Sequence, residues 1–195
     1  RAPPGGDPMI QHLPAFGICG YSGAGKTTLI VELIRRLSAC GLKIGVIKHD
    51  VHGLNVDREG KDSDRFFKAG ADVLMRSPDQ LFLRARPREE IDGGRAASTA
   101  GSAFLRARPR EEIDLEAVLN IFCPHYDLVL LEGHKSTPGI DKVWLLKDDQ
   151  ETCPPEAVNA CHVYQAESMA AGMVRRILRR EEDRAGIVME MLLPW

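Results

Sequence analysis

Apolar residues along this chain fall into short blocks, some continuous and some spaced at three and four positions, and the two rhythms alternate. The run "AFGIC" (Ala15 to Cys19) predicts a buried strand, and Leu29, Ile30, Leu33, Ile34 and Leu37 then return on one helical face, with Gly41 as the stop. "KIGVIK" (Lys43 to Lys48) predicts a second strand. A short helix is expected from Ser63, closing at Gly70, followed by strands at Asp72 to Arg76 and Gln80 to Arg84. "DLEAVLNIF" (Asp114 to Phe122) has helical spacing behind an acidic N-cap candidate, and Leu128 to Leu131 predicts a strand with Glu132 at its carboxyl end. Further strands are expected at Lys142 to Lys147 and Cys161 to Gln165, then a helix over Ser168 to Arg180. Strands alternating with helices imply an α/β fold: a mostly parallel twisted sheet, covered by helices on both faces, that binds ligands beyond the carboxyl ends of its strands.

One feature departs from that rhythm. "FLRARPREEID" occurs identically at Phe82 to Asp92 and at Phe104 to Asp114, an offset of 104 − 82 = 22 residues. A solitary perfect pair is not a solenoid, whose repeats come in several diverged copies. The unit is read as a duplicated or irregular insertion within residues 82–114. Gly93 to Ala103 is expected to form an irregular excursion, and removal of one unit should leave an uninterrupted core of 195 − 22 = 173 residues.

Composition then narrows the class. With 195 residues, 44% apolar and 28% charged, the chain suits one domain, placed at residues 15–195 behind a flexible extension at residues 1–14 that opens Pro/Gly-rich. A formal charge of −2 offers no global attraction to nucleic acid or an anionic membrane, so anion binding needs a local site. No apolar run approaches the ~20 residues of a membrane helix, and the amino terminus lacks the apolar centre of a secretory signal, so a cytoplasmic location is expected. Five cysteines without a C-x-x-C pair read mostly as core thiols. The apolar tail "GIVMEMLLPW" is expected to pack on the domain or on a second subunit, and Arg175, Arg176, Arg179 and Arg180 to form the solvated face of the predicted helix.

Between the first strand and first helix, Gly20, Gly25, Lys26 and Thr27 match G-x-x-x-x-G-K-[ST]. Glycines let backbone N–H groups close on phosphate oxygens, the helix amino terminus adds positive potential, Lys26 reaches the β/γ-phosphates and the Thr27 hydroxyl ligates Mg²⁺. The cradle comprises Gly20, Ser22, Gly23, Ala24, Gly25, Lys26, Thr27 and Thr28. It sharpens the fold class to a P-loop NTPase three-layer sandwich and names a nucleoside triphosphate with Mg²⁺ as the ligand.

After the second strand, "KHDVHGLNVDREGKDS" (Lys48 to Ser63) packs two histidines and four acids into a strand-end segment. Taken together, "GYSGAGKTTLI", Lys48 and His49, His52, Asp57, "GKDS" at 60–63, "AGA" at 69–71 and "LVLLEGHK" at 128–135 closely resemble the MobB family of molybdopterin-guanine dinucleotide biosynthesis. The likeness runs from about Phe16 to about Asp149, with Glu59 where that family often has proline. It implies a GTP-binding adapter with weak GTPase activity, a homodimer. Its partner would be the guanylyltransferase that joins GMP to the molybdenum pterin, and molybdopterin itself is a possible ligand.

Asp50, Asp57 and Asp62 are hard oxygen donors for Mg²⁺ and the γ-phosphate; Asp57 and Asp62 match the family pattern and Asp50 does not. Glu132 reads as the Walker B acid, with Lys135 nearby, so Lys26, Asp57 and Glu132 are the candidate catalytic groups and Thr27, Asp57 and Glu132 the candidate metal ligands. His49 and His52 could take a phosphate, a pterin or a soft metal, and Lys61 a substrate phosphate. Lys147 and Asp149 have the K-x-D spacing of a guanine reader, although Leu146 precedes them where Asn or Thr is usual, and a charged loop without base contact stays open. Two other functions fit the loop: a small-molecule kinase or ligase with Asp57 or His52 as base, and a nickel metallochaperone suggested by Cys123, Pro124 and His125. No glutamine or cis arginine is obviously placed to complete a hydrolytic site, so intrinsic turnover is expected to be slow.

Overall fold

The computed structural model describes residues 14–49, 60–77, 80–86, 103–107, 114–154, 157 and 174–193. Strand β1 (Ala15–Gly20) delivers the glycine-rich turn to helix α1 (Lys26–Ala39), and β2 (Ile44–His49) follows. After residues 50–59 come α2 (Asp62–Ala69), β3 (Asp72–Ser77) and β4 (Gln80–Ala85). Next are β5 (Ala103–Ala107), α3 (Leu115–Phe122), β6 (Leu128–Glu132), β7 (Asp141–Leu145), β8 (Val174–Leu178) and α4 (Arg184–Leu192).

The strands form one sheet in the order β5-β4-β3-β2-β6-β1-β7-β8. From β3 to β8 all neighbours are parallel; β4 and β5 add an antiparallel edge. Parallel strands buried on both faces read as nearly continuous apolar runs, and β6 shows why. Leu130 faces a core shared with Leu33, Ile34 and Leu37 of α1, Phe66 of α2 and Val188 of α4. Val129 and Leu131 face the opposite core, closed by Leu115, Val118, Leu119 and Phe122 of α3. The molecule is therefore the expected three-layer α/β sandwich. Because β6 lies between β1 and β2, the ends of three strands separated in sequence meet at one edge.

Two expectations are corrected. The helix over 168–180 is not formed at its carboxyl half: Val174–Leu178 is strand β8, parallel to β7, and Leu178 is buried. The adjacent arginines in "VRRIL" disguised an edge strand, because polar positions are tolerated where only one neighbour is paired. Arg176 donates to Glu182 Oε1 at 2.9 Å, and Arg179 and Arg180 sit on the turn that follows rather than on a helix face. The strand expected at 161–165 lies outside the described residues.

The second correction concerns the repeat. Its second copy begins within a strand, so Ala103 is not irregular, while 93–102 fall outside the described residues. The two copies pair with each other: Phe82 opposes Arg106, Leu83 opposes Leu105 and Arg84 opposes Phe104. Identical sequences thus form a ladder with a local two-fold through Leu83 and Leu105. Every β5 residue is exposed, with Phe104 at 53% and Leu105 at 63%. Deleting residues 82–103 joins Leu81 to Phe104 and regenerates the β4 sequence. The 173-residue chain is expected to melt cooperatively within about 5 °C of the full chain, since an exposed edge strand contributes on the order of 1 kcal/mol. Loss of the cooperative transition in a circular dichroism melt would show that the unit is integral to the fold.

Helix α2 is fixed by Asp64, a buried carboxylate. It accepts from the Gly60 amide at 3.0 Å and from Arg84 Nη1 at 3.1 Å, and Lys68 Nζ lies 2.9 Å away. The Gly60 hydrogen bond, then Lys68 and Arg84, hold its carboxyl down at about 2. A depressed carboxylate stabilises the fold fully above its unfolded value near 3.8 and loses that contribution as pH falls toward 2. Asp64→Asn should cost about 1 to 2 kcal/mol at neutral pH, with the difference from wild type vanishing between pH 4 and 2 in pH-dependent melts.

The tail helix α4 packs on its own domain: Ala185 and Val188 are in the core beside α1, with Ile187 and Met191 partly buried against it. No helix among the described residues is long and apolar enough to cross a membrane. Of the cysteines, Cys19 and Cys123 are core thiols, Cys153 is half-buried and Cys40 is exposed.

Candidate functional site

The glycine-rich turn wraps between β1 and α1 as the motif requires. Gly20 has φ 149°, and a Cβ there would stand 2.7 Å from the Leu145 carbonyl oxygen of β7. Only glycine lets the loop leave the strand so close to its neighbour. Gly23 and Gly25 also take positive φ, and Gly25 is the N-cap of α1, so the first amides of that helix are presented at the sheet edge. Ser22 and Thr28 are exposed, whereas Ala24 is buried. Lys26 Nζ arches back over the loop and donates to the carbonyls of Gly20 at 3.0 Å and Tyr21 at 2.8 Å.

Beside it, β1, β2 and β6 bring together groups that are far apart in sequence. Thr27 Oγ1 donates to Glu132 Oε1 at 3.1 Å, across a separation of 105 residues. Lys48 Nζ lies 2.5 Å from Asp62 Oδ2 and 3.3 Å from Glu132 Oε2. Glu132 is only 7% exposed, and among the described residues its Oε2 accepts no hydrogen bond and meets the Lys48 ammonium as an ion contact. Burial works against the Lys48 ammonium, yet Glu132 and Asp62 together hold its pKa above the ordinary lysine value. Burial also opposes the Asp62 carboxylate, but the hydrogen bond from Lys48 outweighs it and keeps Asp62 below its ordinary range, with Thr27 assisting. Lys48 and Asp62 are therefore both charged at neutral pH. A hydroxyl and a buried carboxylate oxygen side by side form a hard donor set suited to Mg²⁺, which prefers oxygen ligands.

A second cluster adjoins this one. His49, at the end of β2, faces His134 with ring centroids 5.5 Å apart. His134 holds φ 55°, uncommon for a residue with a side chain, and follows Gly133 in the same left-handed region. The turn is tied to β1, since the Gly133 amide donates to Ile18 O at 3.1 Å and Cys19 Sγ donates to Gly133 O at 2.9 Å. Burial, then the neighbouring His49, Arg76 and Lys142, pushes His134 down to about 4, so its imidazole is neutral at physiological pH. Lys142 is enclosed by the carbonyls of His134, Lys135 and Thr137, with Nζ at 3.4, 3.2 and 2.6 Å. Lys135 contributes its backbone to that cage while its side chain is exposed.

On the other side of the loop, Gly23, Thr28, Lys147, Arg180, Asp183 and Arg184 line a cavity of about 470 Å³. Lys147 therefore sits beside the glycine-rich loop. Asp149 lies on the exposed turn after it and does not line the cavity. Lys61, the N-cap of α2, is exposed. Asp50, His52 and Asp57 lie outside the described residues. Cys123 is fully buried under α3, and desolvation raises its thiol to about 11, which disfavours the thiolate that nickel binding requires. Among the described residues, no group of three potential ligands is arranged for a transition metal.

Sequence reasoning assigned no role to Lys48, His134 or Arg184. Lys48 and His134 stand within the segments that carried the resemblance and could have been found by their position at strand ends. Arg184 carries no local signal.

Comparison with known proteins agrees with this geometry. The family described as "Molybdopterin guanine dinucleotide synthesis protein B" matches residues 15–164. The Escherichia coli molybdopterin-guanine dinucleotide biosynthesis adapter protein is 32% identical over 154 residues, 77% of this chain and 75% of that protein. The Haemophilus influenzae adapter protein is 45% identical over a shorter stretch of 74 residues, 38% of this chain and 42% of that protein. Among solved structures, a MobB homologue from Bacillus stearothermophilus shares the fold with a TM-score of 0.50 at 16% identity, covering 92% of this chain and 98% of that one. With a family match over most of its length, on a sheet whose edge gathers Lys26, Thr27, Lys48 and Glu132, the chain belongs to the MobB family.

Proposed function

We propose that this protein is a GTP-binding adapter with weak GTPase activity that assists attachment of GMP to molybdopterin in the cytoplasm. The observation that carries the reading is the contact of the Thr27 hydroxyl with the buried Glu132 carboxylate, one residue beyond the Lys26 ammonium. In this reading Lys26 and the amides of Gly23 to Thr27 hold the phosphates, and Lys48 fixes the orientation of Glu132 and Asp62. Thr27 and Glu132 would hold Mg²⁺, which supplies charge neutralisation at the β- and γ-phosphates when bound. Asp57 is proposed as a further Mg²⁺ ligand and catalytic carboxylate, His49 and His52 as contacts to a phosphate or pterin, and Lys147 with Asp149 as the guanine reader.

Titration of the full chain with GTP and with ATP, each with and without Mg²⁺, tests this. Micromolar GTP binding that exceeds ATP binding at least tenfold, with turnover well below 1 min⁻¹, is the expected result on the scale of unassisted P-loop GTPases. ATP preference would favour the kinase or ligase instead. Failure to bind either purine triphosphate would remove the reading altogether.

A homodimer is part of the proposal, supported by β5, which among the described residues has no outer partner and exposes Phe104 and Leu105, a template for strand pairing with a second copy. Light scattering should give about twice the 21.6 kDa chain mass, and a monomer at micromolar concentration would count against it.

A further inference from the structure

Arg184 opens helix α4, 160 residues beyond the phosphate loop, yet its guanidinium meets that loop. Nη1 donates to the Ala24 carbonyl at 2.7 Å. Nη2 donates to the carbonyls of Leu146, just past β7, and of Leu178, at the end of β8, the latter at 3.3 Å. Nε donates to Arg179 O at 2.8 Å. One planar fork thus gathers four carbonyls from three segments that the β1–β7 and β7–β8 ladders bring side by side. A Cβ on Gly25 would stand 3.3 Å from the same Nη1, so the second glycine of the motif also makes room for this side chain.

The phosphate loop works by turning its amides outward, and every amide turned out leaves a carbonyl turned in. The inward Ala24 carbonyl must be paired, or the peptide pays the cost of an unsatisfied buried acceptor and is free to rotate. Arg184 supplies that partner. Its bond to the Leu146 carbonyl adds to the bonds that the Leu146 amide makes to Leu178 O and the Lys147 amide to Glu151 Oε2, so one guanidinium links both walls of the cavity that Gly23, Thr28 and Lys147 share. A lysine in its place keeps the charge but cannot hold several carbonyls in a fixed plane.

We propose that Arg184 is a positioning residue of the nucleotide site, setting the orientation of the Ala24 peptide and the spacing between the phosphate loop and the Leu146–Lys147 segment. The C-terminal helix thereby reports to the nucleotide, so a partner that displaced α4 would loosen the phosphate cradle. This rests on the nucleotide reading for its effect on affinity, but the effect on the loop does not. Helix α4 keeps its own start without the guanidinium, because Asp183 caps it through Oδ1, accepting from the Gly186 amide at 3.1 Å, and Val188 anchors it in the core.

The test compares the full chain with Arg184→Lys and Arg184→Ala, using Arg176→Ala as a control outside the cavity. Amide hydrogen exchange without nucleotide should accelerate in both Arg184 variants at Ala24, Leu146 and Lys147, whose amides bond Tyr21 O, Leu178 O and Glu151 Oε2, while α1 and the central strands stay protected. Unchanged exchange at those amides overturns the inference whether or not the wild type binds nucleotide. Given wild-type binding, Arg184→Lys should weaken GTP about tenfold or more and narrow the GTP-to-ATP ratio. Equal affinities and an equal ratio in all variants would also overturn it. Wild-type chain that binds neither nucleotide, yet shows the exchange change, would retain the loop-positioning role and discard the nucleotide reading alone.

Discussion

Replacing Lys26 by alanine is expected to weaken Mg²⁺-GTP binding by roughly 100-fold. Lys26 Nζ is already poised over the loop by the carbonyls of Gly20 and Tyr21, so little reorganisation is needed for a phosphate to become its partner. A charge-assisted hydrogen bond at a desolvated site is worth about 2 to 4 kcal/mol, which at 1.4 kcal/mol per tenfold spans roughly 30- to 1,000-fold. Folding should be nearly unaffected, because the side chain is half-buried and bonded only to loop carbonyls. Isothermal titration of wild type and variant, with melting curves alongside, measures both. A variant that binds GTP within threefold of wild type would show that the loop does not grip phosphate as its shape implies.

Glu132→Gln is expected to remove most of the Mg²⁺ dependence of binding and to lower GTP turnover by about two orders of magnitude. Glutamine keeps the shape and an oxygen for the Thr27 hydroxyl but loses the charge, and Lys48 retains Asp62 at 2.5 Å. The comparison is the ratio of affinities in Mg²⁺ and in EDTA. Wild type should show at least a tenfold ratio and the variant a ratio near one. A preserved ratio would move the metal to another carboxylate, with Asp57 the next to test.

The readable part of this protein is local. Gly20, Gly25, Lys26 and Thr27 could be assigned from sequence because the loop conformation, the strand before it and the helix after it depend on residues within thirty positions. The same holds for β6, whose run of apolar residues ends at Glu132. Where the reading failed, the deciding interaction was distant. Val174–Leu178 is a strand because the β7 edge offers a parallel ladder to it, a fact invisible in "VRRIL". The second copy of the repeat is a strand because its first copy lies at a sheet edge and accepts an identical sequence in antiparallel register.

Sequence by itself therefore determined the class of fold, the glycine-rich turn between β1 and α1 and the family, since backbone preference, hydrophobic period and glycine placement act over short stretches. Tertiary structure decided how the site residues touch and which others join them. The Thr27 to Glu132 hydrogen bond, the Lys48 bridge between Glu132 and Asp62, and the grip of Arg184 on Ala24 all depend on strand order and helix docking. Those contacts join residues separated by up to 160 positions, and no local propensity encodes a pairing that exists only once the sheet is assembled.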